Sequence, residues 1–354
     1  MLKRMRITAT VAALACLATT AGAQAVITNG TIRMGIGQYG DLNVGSVPQI
    51  KGTNRVGLRL ITAAGDYEST ADGCTCEGWG LGVRSGGVVV AWGGSNSSVG
   101  GVTNLDPISF TSAASTATST VRLTAGANLT ITHLYRPSAV ANMYEVQITI
   151  TNTGAAAIGD VVYRRVMDWD ISPTQFSENV RISGWGAANL IGSGSNGFLE
   201  AKPLSLFGNV ASGCTIGGAC NANFETNFGA DRGSFFDFSF GALGAGESKA
   251  FKTFYGAAPT YSALLTALGA VGVEVYTAGW CAGGDRGTEP TSCNGKDGPA
   301  VFGYGFAGVG GAPPSELPPP VSTVPEPSTY VLMGAGLLSL ALISRRRRTN
   351  VQLT

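Results

Sequence analysis

Between Val26 and about Gly256 the chain is written in short apolar or alternating runs, each broken by Gly, Asn, Asp or Ser. The clearest run is Tyr144–Thr151, where Tyr144, Val146, Ile148 and Ile150 alternate with Glu145, Gln147, Thr149 and Thr151. A period of two places one set on each face of an extended chain, so this segment predicts a half-buried strand. Val121–Ala125 and Leu129–Tyr135 flank Gly126-Ala127-Asn128 and predict a hairpin. Val161–Trp169 follows a turn begun at Asn152-Thr153-Gly154 and is expected to pair with Tyr144–Thr151. Gly57–Thr62, Gly87–Trp92, Ala250–Tyr255, Val271–Tyr276 and Ala300–Phe306 read as further strands. One segment changes period: Tyr261, Leu264, Leu265 and Leu268 recur at helical spacing, with Pro259 before them and Gly269 after. The pattern therefore predicts a mainly β chain, an antiparallel β-sandwich or an enlarged supersandwich, with one short helix near 259–269. Residues 26–307 form the expected body.

Composition sharpens this picture. There are 52 glycines among 354 residues, about twice the usual ~7%, and charged residues make up 13% against the usual ~25%. Tight turns between strands account for the glycine. Seven of the 23 basic residues, Lys3, Arg4, Arg6 and Arg345 to Arg348, lie in the terminal segments, so 16 basic residues face 22 acidic ones in the remainder. A body of that sign is not expected to bind nucleic acid, because phosphate contact needs a basic surface.

Residues 1–25 read as a signal peptide. Lys3, Arg4 and Arg6 form a positive start, Ile7–Leu17 is apolar or small, and Ala21-Gly22-Ala23 and Ala23-Gln24-Ala25 both fit a small-x-small cleavage rule. Cleavage is expected after Ala25. Export leads to an oxidising compartment, where the six remaining cysteines are expected to pair. Cys214 with Cys220 and Cys281 with Cys293 would each close a Gly-rich loop. Cys74-Thr75-Cys76 then pairs by default, or supplies two thiolates to a zinc ion.

From Gly308 the composition turns to Gly and Pro, and 308–323 reads as a spacer. Tyr330–Ile343 is 14 apolar, Gly or Ser residues, extended to 17 by Ser328, Thr329 and Ser344. Seventeen is the lower limit for a bilayer span. Arg345, Arg346, Arg347 and Arg348 follow, and basic residues at that flank stay cytoplasmic, which puts the body outside. Val324-Pro325-Glu326-Pro327-Ser328, a short apolar helix over about 328–344, and four arginines together resemble the PEP-CTERM sorting signal of Gram-negative bacteria. The resemblance covers about 25 residues, 324–348. It implies recognition of Pro325, Glu326 and Pro327 by an exosortase-type transpeptidase in bacteria that make exopolysaccharide. It further implies transient anchoring in the inner membrane, removal of the tail, and release or attachment of the body at the cell surface.

Catalytic signatures are sparse. His133 is the single histidine and sits in a strand-like run, which reads as structural and excludes a His-rich metal site. The best polar constellation is Arg164-Arg165-Val166-Met167-Asp168-Trp169-Asp170, with Glu178 nearby. In a strand, Arg164, Asp168 and Asp170 share one face and Arg165 and Trp169 the other. Three readings stand: a structural Arg–Asp pair, a Ca²⁺ site on Asp168 and Asp170, or an acid/base pair for glycoside hydrolysis. The loop bearing Asp285, Glu289 and Asp297 lacks the order of an EF-hand and reads as solvated. Trp79, Trp92, Trp169, Trp185 and Trp280 read as core or as a sugar-stacking face. The expected function is a non-enzymatic surface or matrix protein, without a cofactor unless calcium. The alternative is a carbohydrate-binding or glycoside-active protein that uses Asp168, Asp170 or Glu178.

Overall fold

A computed structural model describes residues 24–45, 54–172, 174–208, 213–282 and 293–319. The signal peptide up to Ala23, most of the loop before Cys293, and the sorting segment at 324–348 lie outside the described residues. No helix among the described residues is long and apolar enough to cross a membrane.

The chain opens with a four-stranded sheet, β1 (Gln24–Thr28), β2 (Ile32–Gly37), β3 (Leu58–Thr62) and β4 (Gly65–Glu68). β1 spans the expected cleavage point, with Ala25 opposite Ile36 and Val26 opposite Gly35. β5 (Gly78–Ser85), β6 (Val88–Asn96) and β7 (Gly101–Thr103) then start a six-stranded sheet. β8 (Leu105–Ser112), β9 (Ala117–Leu123), β10 (Leu129–Pro137) and β11 (Met143–Asn152) run as a meander in a nine-stranded one. From there the chain alternates. β12 (Asp160–Trp169), β14 (Leu190–Gly194) and β16 (Arg232–Ser239) join the six-stranded sheet, while β13 (Glu178–Ser183) and β15 (Phe224–Glu225) join the nine-stranded one. The nine-stranded sheet is completed by β17 (Ser248–Ala258), β18 (Val275–Cys281) and β19 (Val301–Ala307). α1 (Tyr261–Ala270) lies between β17 and β18.

The expected hairpin over 121–135 is present as β9–β10, with Val121 opposite Ile131. The expected pairing of Tyr144–Thr151 with Val161–Trp169 is not. β11 lies between β10 and β17, whereas β12 lies between β5 and β16 in the other sheet. Alternation says that a strand has a buried face, but both sheets offer one, so the period cannot choose between them.

The two large sheets stack face to face over an aromatic core. Tyr163 of β12 meets Phe251 of β17 with ring centres 5.1 Å apart, and Phe238 of β16 meets Phe306 of β19 at 4.7 Å. α1 covers the outer face of the nine-stranded sheet, where Leu264 and Leu268 pack with Phe254, Tyr276 and Val301. Its first turn is capped by Thr260, whose Oγ1 accepts the Ala263 N–H at 3.3 Å.

An ion pair sits inside this apolar layer. Arg165 points inward from β12 and pairs with Glu77, just before β5; both are fully buried. Glu77 also accepts the Leu42 N–H at 2.6 Å and the Tyr255 hydroxyl of β17 at 3.2 Å. The Arg165 guanidinium lies 5.2 Å from the centre of the Tyr255 ring. Tyr135 of β10 donates its hydroxyl to the Gly40 carbonyl at 2.8 Å beside it. Both large sheets and the loop after β2 therefore converge on one pair of charges.

The segment read as a spacer packs on the body as far as Pro318. Glu274 accepts the N–H groups of Gly308, Val309 and Gly311 at 2.8–2.9 Å. Val309 is fully buried and Leu317 joins the cluster under α1. Glu316 accepts from Arg181 at 2.9 Å and from the Tyr276 hydroxyl at 3.1 Å. Gly269 is required where Pro318 passes, since a Cβ there would lie 2.3 Å from the Pro318 carbonyl oxygen. Composition alone hides this docking, because the bonds use backbone amides that any sequence supplies.

Two outcomes follow. Arg165→Met leaves Glu77 buried without its counter-charge and is expected to lower unfolding free energy by ~3–5 kcal/mol in urea, with part of the loss recovered in Arg165→Met/Glu77→Gln. Glu274→Ala strands three amides and is expected to speed hydrogen exchange at 308–311 while removing ~1–3 kcal/mol. Unchanged exchange there would show that the segment is held by other contacts.

Candidate functional site

The Arg–Asp pairing expected within 164–170 does not form. Arg164 pairs instead with Asp237 of β16, at 2.8 Å and 2.6 Å from its two carboxylate oxygens, and lies over the Phe235 ring. Arg165 is engaged by Glu77. The faces are as the strand period requires, but each arginine finds its acid outside this segment, Arg164 on β16 and Arg165 just before β5.

Asp168 and Asp170 are therefore left with other acids. Asp168 is the penultimate residue of β12 and Asp170 follows the strand. The Asp170 N–H donates to the Ser69 carbonyl at 2.7 Å, which brings the end of β4 alongside. The start of β13 lies against the approach to β16, with a bridge between Glu178 and Ala230. These junctions gather Asp168, Asp170 and Asp231, each with a carboxylate oxygen within 4.8 Å of the others. Glu178, the first residue of β13, lies beside this group and feels the charges of Asp170 and Asp231. Its Oε1 accepts the Ile171 N–H at 3.3 Å, while its Oε2 has no hydrogen-bond partner.

Asp168, Asp170 and Glu178 are closed to solvent and short of donors. Asp168 is 1% exposed, and Asp170 and Glu178 are 0% exposed. Asp168 Oδ1 and both Asp170 carboxylate oxygens have no hydrogen-bond partner. Asp168 Oδ2 lies 3.4 Å from Cys74 Sγ, but that sulfur is bonded to Cys76 and has no hydrogen to give. Arg232, the cation beside Glu178, is held by carbonyls: its Nε donates to Ile216 at 2.6 Å and its Nη1 to the Glu178 carbonyl at 3.1 Å. Among the described residues no lysine or arginine forms an ion pair with Asp168, Asp170 or Glu178.

Burial, and then the neighbouring acids, push these carboxyls upward. Asp170 is raised to about 8 by burial, Asp231 and Asp72. Asp168 rises by burial and by Asp170, and Glu178 by burial and by Asp170 and Asp231. A carboxyl raised on folding favours the fold below its unfolded pKa, near 4, and that contribution is lost as pH rises through the folded value. At neutral pH the bare cluster opposes folding. Gly73 shapes its wall, since a Cβ there would lie 2.0 Å from Asp170 Oδ1.

Other expected residues are placed as follows. His133 is fully buried between Trp79 and Tyr135, its ring 4.8 Å from the indole, and burial holds it neutral. Neither of its ring nitrogens has a hydrogen-bond partner, so it has no acid or nucleophile to work with. Trp79, Trp169 and Trp280 are core residues. Trp185 is partly exposed and lines a shallow cavity of about 330 Å³ with Ser183, Asn223 and Glu316. The cysteines pair as Cys74–Cys76, Cys214–Cys220 and Cys281–Cys293, with Cα separations of 5.2, 5.7 and 6.1 Å. The first pairing removes the thiolates a zinc site would need. Sequence reading missed Asp231 and Asp72, which stand about 60 and 100 residues from Asp170 with no local motif to mark them.

No curated protein matches the chain. Among solved structures, the chain is similar to a galactose mutarotase-like protein from Lactobacillus casei ATCC 334, at 12% identity and a TM-score of 0.27, over 84% of this chain and 90% of that one. The family model of the PEP-CTERM protein-sorting motif matches residues 323–348. The chain thus carries a PEP-CTERM sorting motif, which implies export, processing by an exosortase and sorting to the cell surface.

Proposed function

We propose that the body is a non-enzymatic surface or extracellular-matrix protein, delivered with exopolysaccharide and separated from its membrane anchor by the exosortase. The observation that carries this reading is the burial of the candidate chemistry. Asp168, Asp170 and Glu178 are at most 1% exposed. A glycosidase needs its two carboxyls on either side of a bond that the substrate brings in from solvent. Trp79, Trp169 and Trp280 are likewise buried, so they offer no face for a sugar ring. His133, held neutral in the core, supplies no accessible base. The docked segment through Pro318 supports the same reading, because cleavage near Pro325 would leave the packed body whole.

Fractionation with intact-mass measurement tests the sorting half. In wild-type cells the mature protein is expected to lack Arg345 to Arg348, whereas Glu326→Ala, or loss of the transpeptidase, is expected to leave full-length tail in the membrane fraction. A mature wild-type protein that retains the arginines would refute the sorting reading. A glycan array tests the other half, with Trp185 as the one partly exposed ring in a polar cavity. No Trp185-dependent capture is expected. Binding of a defined glycan that disappears in Trp185→Ala would replace the proposal with a carbohydrate-binding module.

A further inference from the structure

We propose that the carboxylates of Asp168, Asp170, Asp231 and Glu178, all but Asp231 buried, form a calcium site that ties together the ends of β12, β13 and β16. Two independent observations carry it. The first is the convergence of Asp168, Asp170 and Asp231, with oxygens within 4.8 Å of one another. That spread is what oxygens ligating one cation at ~2.3–2.6 Å from opposite sides produce. The second is Glu178, contributed by another sheet. It is 0% exposed, its Oε2 has no partner, and the charges of Asp170 and Asp231 act on it. A carboxylate buried beside other carboxylates, without a donor, is unfavourable in an apolar interior unless a cation neutralises it.

The donor set selects the ion. All four side chains offer hard oxygens, which suit calcium or magnesium over zinc or copper. Cys74 and Cys76 lie against Asp168 but are joined in a disulfide, so no thiolate is available to draw a soft metal. The acids come from three strand ends with unequal side-chain reach: Asp168 on β12 and Asp170 just after it, one aspartate before β16 and a glutamate on β13. Calcium accepts irregular shells of six to eight oxygens, whereas magnesium demands a near-ideal octahedron. The site is structural, because Asp168, Asp170 and Glu178 are at most 1% exposed and leave no room for a substrate between them. Calcium bound there would join strands of both large sheets.

Calorimetry and thermal unfolding of the full chain, purified in detergent and stripped with EGTA, test this with CaCl2 and MgCl2 as probes. One Ca²⁺ per chain is expected, with a higher Tm in CaCl2 than in EGTA and at least tenfold weaker binding of Mg²⁺. Asp170→Asn and Glu178→Gln are each expected to weaken Ca²⁺ at least tenfold. In EGTA both variants should melt no lower than the wild type, since each removes a like charge, so lost binding would not reflect misfolding. Absence of Ca²⁺ binding in the wild type would overturn the proposal and point to protons as the neutralising species. A Ca²⁺-induced Tm shift retained by both variants would also overturn it, and equal Mg²⁺ affinity would overturn the assignment to calcium.

Discussion

The buried pair of Arg165 and Glu77 is the point on which the packing turns. A guanidinium and a carboxylate sit in the apolar layer between two sheets, where either alone would be strongly destabilising. Each is satisfied only when several distant segments are in place. Glu77 needs the Leu42 amide and the Tyr255 hydroxyl as well as Arg165. The carbonyl of Gly40 must reach Tyr135 in the same region. Such a group acts as a specificity device: a sheet stacked in another register would leave a charge unpaired. Apolar rings around it, including Tyr163 and Phe251, supply the burial energy but tolerate more than one arrangement.

The acid group around Asp168 is the counterpart of that pair and lacks its solution. Arg165 and Asp168 both lie on β12, three residues apart and on opposite faces. On the inner face the charges are balanced within the protein. On the outer face, at the strand's end, carboxylates from β12, β13 and the lead into β16 gather with no lysine or arginine paired to Asp168, Asp170 or Glu178 among the described residues. The glycines at 197 and 233 let backbone pass within contact of Asp168, since a Cβ at either would lie 2.6 Å from its Cα. The crowding is thus built into the local chain geometry, and an exported protein meets the medium in which a hard cation is available to relieve it.

Address and body are separate in sequence, and the packed body extends later than composition suggests. Gly308, Val309 and Gly311 are tied to Glu274, and Leu317 closes the cluster under α1. The sorting motif at 323–348 begins just beyond.

The sequence by itself determined what depends on neighbours along the chain. Alternation in Tyr144–Thr151 marked a strand, the Gly126–Asn128 turn marked a hairpin, and the spacing of Leu264 and Leu268 marked the helix. The three cysteine pairs were legible because each closes a short local loop. The sorting motif was legible because all its parts are contiguous along the chain. Only the tertiary structure decided which sheet β12 enters, which acid each arginine meets, and which acids meet none. Arg164 finds Asp237 and Arg165 finds Glu77 across separations of 73 and 88 residues. Asp231 joins Asp168 and Asp170 from 60 residues away or more. Side-chain period assigns a face to each residue, but the partner on that face is chosen by how the sheets stack, and that is a property of the whole chain.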